Sequence, residues 1–89
     1  MVFYATTGAD WDAVAAIARV AGRAEKLGPV TEEAMGAVKV YYQTVHGTEP
    51  AMSLIGVWTC GDREFAMAVY AGEPAVALDE LRDAAGRFR

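Results

Sequence analysis

SLIGVWTC-GD-REFAMAVY, residues 53–70, is the stretch whose reading decides the fold. Two runs of strand-forming residues flank Gly61-Asp62. Glycine at the first central position is what a two-residue type II′ hairpin turn requires, because that position has a positive φ. The turn fixes the register. Cys60 faces Arg63, Trp58 faces Phe65, Gly56 faces Met67 and Leu54 faces Val69 on one side of the ribbon. Thr59/Glu64, Val57/Ala66, Ile55/Ala68 and Ser53/Tyr70 share the other. One side is bulky and the other smooth, yet both are mostly apolar. A lone hairpin cannot shelter two apolar faces, so the rest of the chain has to supply cover.

Upstream, Val2–Thr6 (VFYAT) has the aromatic and β-branched content of a short strand and is the candidate for a third strand beside the hairpin. Residues 10–27 read as a helix. Asp10 serves as N-cap, Asp12 puts negative charge in the first turn, Arg19, Arg23 and Lys26 load the C-terminal half, and Gly28-Pro29 terminates it. Its polar stripe is narrow. Trp11, Val14, Ile17, Val20, Ala21, Ala24 and Leu27 fill most of the remaining circumference, and Ala15, Ala18 and Gly22 are small enough for another helix to approach.

Residues 31–46 carry two conflicting signals. The run Val38–Val45 (VKVYYQTV) has strand propensity. On a helical wheel, however, Ala34, Met35, Ala37, Val38, Tyr41, Tyr42 and Val45 gather on one half, with Val40 the only apolar residue out of place. Thr31 fits a cap and His46-Gly47 a C-terminus, so the periodicity predicts a second helix; a strand, giving a three-stranded meander flanked by two helices, is the alternative. HGTEPA (46–51) reads as a loop, and Ala71-Gly72 ends the hairpin. Pro74 suits the first position of a last helix running to about Phe88, with Ala77, Leu78, Leu81, Ala84, Ala85 and Phe88 on one face and an Asp83/Arg87 pair on the other. The expected order is β-α-α-β-β-α. That is a single α+β domain over residues 1–89, an antiparallel sheet of about three strands packed with three helices.

Composition narrows the partners. Apolar residues make up 54% of the chain, more than so small a domain needs, which points to apolar surface covered by another chain. A net charge of −4 with scattered acidic residues argues against nucleic acid. One cysteine rules out an internal disulfide, and with one histidine leaves no tetrahedral zinc set. With neither a secretory leader at the N-terminus nor a membrane-length apolar run, the expected location is the cytoplasm.

The catalytic inventory is thin. Cys60 beside Arg63 is the one nucleophile to weigh, and its only imidazole, His46, lies on a different segment. Glu32/Glu33 and Asp79/Glu80, each placed near a helix start, cannot face one another as adjacent helical residues. The glycines form neither a phosphate loop nor a dinucleotide fingerprint; Gly22, Gly36 and Gly86 fall inside expected helices, where each weakens the helix by about 1 kcal/mol. No catalytic residue, metal ligand or cofactor is expected. The aromatics are more informative. Trp11, Tyr41 and Tyr42, with Ala18 and Gly22, form the candidate interface, since Trp and Tyr are enriched at binding hot spots. Trp58, Phe65 and Met67 are assigned to the core or to a pocket.

Three functions compete, in this order. The first is a non-enzymatic protein-binding module, a homodimeric regulator or inhibitor that occupies a partner's surface; small accessory inhibitors of phages share this size and composition. The second is a small-ligand sensor with a pocket between sheet and helices. The third is an enzyme built on Cys60.

Overall fold

Among the described residues, seven elements form in the order β1 (Val2–Thr6), α1 (Ala13–Ala21), β2 (Glu25–Met35), β3 (Val38–His46), β4 (Ser53–Cys60), β5 (Arg63–Tyr70) and α2 (Pro74–Arg87). The computed structural model describes residues 2–6, 11–46, 53–70 and 73–88. Asp10 as a cap, the 47–51 part of the expected loop and Ala71-Gly72 lie outside them. All neighbouring strands are antiparallel, in the spatial order β1-β5-β4-β3-β2.

The 53–70 hairpin folds in the expected register, from Ser53 opposite Tyr70 to Cys60 opposite Arg63. Gly61 has φ +62°, and no described residue other than glycine has a positive φ, so the turn is of the II′ kind. Val2–Thr6 pairs with β5, next to the hairpin as expected.

Two expectations fail. The first helix spans Ala13–Ala21 rather than residues 10–27. It starts at Asp12, whose Oδ2 accepts the Ala15 N–H at 3.0 Å. It stops at Gly22, where φ is +60° and the N–H reaches Ala18 O at 3.0 Å. Residues 31–46 form no helix. Met35-Gly36-Ala37-Val38 is a second two-residue hairpin, with Gly36 at φ +64° and Met35 opposite Val38. Among the described residues the fold is therefore α+β with five strands and two helices, not three and three. The physical reason lies in β3. It is an interior strand covered on both faces, so Val40 is buried toward one helix and Val45 toward the other. A strand buried on both sides shows no clean alternation, which leaves its apolar residues free to mimic a helical arc.

The helices divide between the two faces of the sheet. The bulky face of the hairpin (Leu54, Trp58, Phe65, Val69) packs with Val38, Val40 and Met35 against Ala77, Leu81, Ala84 and Ala85 of α2. The smooth face (Ile55, Val57) packs with Val45 against Ala13, Ala16 and Ile17 of α1. At Gly56 α2 lies close against the sheet. A Cβ built there would run into the side chain of Leu81, itself fully buried. Trp58 is completely buried, and its Nε1–H donates to Phe88 O at 2.8 Å, tying the C-terminal end of α2 to the middle of the sheet. Its ring stacks on Phe65 (centroids 5.6 Å, 16°), and Phe65 meets Phe88 at 6.4 Å. Such pairs add about 0.5–1.5 kcal/mol beyond their burial.

Candidate protein-binding edge

The residues singled out in the sequence do not assemble into one site. Trp11 and Tyr41 do meet, with ring centroids 6.0 Å apart, and both pack half-buried beside α1's core contacts. Tyr42 points to the opposite face and packs on the α2 side, as adjacent strand residues must. Gly22 is a helix cap and Ala18 is half-buried, so the small-residue stripe ends in a turn instead of running along a helix. Trp58 and Phe65 are core, with Met67 packed against them and Ala77, Leu81, Ala84 and Ala85 of α2 in the same cluster. Cys60 is half-buried with Arg63 across from it, and His46 is exposed at the end of β3 rather than at a helix end. Glu32 and Glu33 sit on a strand, not near a helix start, and point to opposite faces; Asp79 and Glu80 lie well inside α2. No cluster of three or more His, Cys, Asp or Glu able to hold a metal occurs among the described residues.

What the sequence did not single out is the outer edge of β2. No described strand pairs with that edge, and most of β2 is exposed. The strand has two parts. Between Leu27 (opposite Thr44) and Thr31 (opposite Tyr42), three residues of β2 face the single Gln43. Gly28, at φ +79°, lets the backbone bulge there, and the Gln43 side-chain Nε2 donates to Gly28 O at 2.8 Å to fill the gap. Pro29 in this bulge sits where an edge strand tolerates it. The bulge and the charges of Glu25 and Lys26 blunt this half against uncontrolled pairing.

The other half, Thr31–Met35, is regular. In a two-residue hairpin the closing pair, here Met35 and Val38, exchanges both hydrogen bonds, and hydrogen-bonded pairs alternate along the ladder. Glu33/Val40 and Thr31/Tyr42 are then bonded as well, so the N–H and C=O groups of Glu32 and Ala34 point outward, away from β3. Ion pairs brace both faces of this segment. Lys39 Nζ lies 2.9 Å from Glu32 Oε1 on the α1 side. On the α2 side, Arg82 grips Glu33 with two bonds, Nε to Oε2 at 2.8 Å and Nη2 to Oε1 at 3.1 Å. That guanidinium, helped by Tyr42, holds the Glu33 carboxyl below its ordinary range, and Glu32 holds the Lys39 ammonium above its own. The edge is a preformed, charged, five-residue template (Thr31–Met35) fixed to the core through α2. The signal for it was present in the sequence: Gly36-Ala37 follows the same glycine-first turn pattern as Gly61-Asp62.

No family model, curated protein or solved structure matches this chain. No helix among the described residues is long and apolar enough to cross a membrane.

Proposed function

We propose that this chain is a small, non-enzymatic protein-binding module that acts as a regulator or inhibitor by occupying a partner's surface, with β2 as its binding edge. One observation carries the reading: Thr31–Met35 is a regular edge segment whose outward backbone groups at Glu32 and Ala34 have no strand beside them among the described residues. Strand addition draws its affinity from such main-chain groups and its selectivity from the flanking side chains. The apolar excess that pointed to self-association has another use, since helices cover both faces of the sheet.

The test places a photo-crosslinking amino acid at position 34 in cells that produce the protein naturally, with position 14, exposed on α1, as control. A discrete adduct from position 34, lost in a Glu32→Pro variant that keeps the crosslinker but removes an outward N–H, is the expected result. Equal or absent adducts at the two positions would sink the reading. An adduct of the chain with itself would make the partner a second copy.

A further inference from the structure

We infer that the occupant of the β2 edge is an extended segment of a different protein, carrying a lysine or arginine opposite Glu33 between two uncharged residues. This rests on the strand-addition reading and names its partner class. A second copy adding its own β2 fits poorly. Within Thr31–Met35, Glu32 and Ala34 present the outward backbone groups, so antiparallel self-pairing through both of them sets Glu32 against Ala34 of the other copy. The two-fold axis then falls at Glu33, bringing two Glu33 residues into a directly opposed pair, and like charges so placed are destabilising. Each chain also carries a net charge of −4, which adds repulsion.

The two faces of the edge ask for different side chains. On the α1 side Glu32 is already matched by Lys39, with the small Ala34 beside it. Partner residues on that face need no charge, and β-branched apolar side chains suit it. On the α2 side Arg82 is shared between two carboxylates, Glu33 and Asp79, the latter at 3.2 Å. That leaves one negative charge in excess among these three groups, and Glu33 is the member of them on the edge strand, across from the position of an added residue. A cation there completes the balance. Opposite charges across a strand pair contribute about 0.2–1 kcal/mol, a preference of roughly 1.4- to 5-fold over a neutral residue.

The test uses two capped peptides, Thr-Thr-Val-Lys-Val-Thr-Thr and the same peptide with Glu in place of Lys. Each is titrated into isotopically labelled full-length protein while amide exchange is followed by NMR. The expected result is slowed exchange at the Glu32 and Ala34 amides, at several-fold lower concentration of the Lys peptide. The preference should shrink in Asp79→Asn, whose side chain is exposed. Ala34→Pro should abolish the protection, because it removes an outward N–H and no internal bond. Equal effects of the two peptides would overturn the cation requirement while leaving strand addition standing. No protection by either peptide would overturn both. Protection that grows with protein concentration alone would overturn the heterologous partner in favour of a second copy.

Discussion

Replacing Gly56 by alanine tests the packing of α2 on the sheet. A strand glycine is ordinarily a weak point, and alanine in its place gains about 0.5–1 kcal/mol through reduced chain entropy. Here the added Cβ lies 3.0 Å from Leu81 Cγ and nearer still to both Leu81 methyl groups. Leu81 has no exposed surface and is packed with Trp58, Ala77, Ala84 and Ala85, so it cannot swing aside without moving α2. Overpacking of this kind costs about 1–3 kcal/mol. The net expectation is a loss of about 1–2 kcal/mol, a fall in Tm of roughly 5–15 °C for a domain of this size. Urea unfolding followed by tryptophan fluorescence reads it as a lower midpoint at unchanged m. Leu81→Ala alone should cost about 2–5 kcal/mol. The double variant should lose less than the sum by about 1 kcal/mol, since the new methyl partly fills the space the leucine leaves. A Gly56→Ala protein as stable as the parent, or strict additivity in the cycle, would refute the close approach of Leu81.

Trp58→Ala should cost about 3–5 kcal/mol. Trp58→Phe should lose the bond to Phe88 O, worth about 0.5–1.5 kcal/mol, with amide exchange quickened most at the C-terminal end of α2; a uniform change would argue against the tie. Gly86 is exposed in α2 with open space around a built Cβ, so Gly86→Ala should stabilise by about 0.5–1 kcal/mol and raise Tm. Gln43→Leu would leave Gly28 O without its side-chain donor, with water free to replace it at this exposed bulge, and should cost about 0.5–1.5 kcal/mol, read by urea unfolding. The Glu33 carboxyl is held below its usual value of 4.5 by Arg82, so its contribution is present above that pH and lost as pH falls through the folded value. The stability difference between parent and Glu33→Gln should therefore be largest near neutrality and close in acid. A gap that stays constant down to pH 3 would contradict the pairing.

Much of this architecture was written locally. Gly61-Asp62 set the hairpin and with it every pair from Ser53/Tyr70 to Cys60/Arg63, because a two-residue turn and a period of two leave no freedom of register. Pro74 and the spacing of Ala77, Leu81, Ala84 and Ala85 marked α2, and Asp83 and Arg87 pair at 2.8 Å on its exposed side. The Val2–Thr6 strand was legible from composition alone. Other features depended on the whole chain. Val38–His46 is flanked by β2 and β4 and covered above and below, so burial, not alternation, chose its side chains. Glu25–Leu27 left the expected helix because Gly22 caps it, and a partner strand, β3, was there to receive those residues. Gly36-Ala37 marked the turn that borders the candidate edge, but not which side of β2 would stay open. Whether the N–H of Ala34 faces a neighbour or open solvent is a property of strand order, and strand order is set by long-range packing, of which a run of residues carries no local trace.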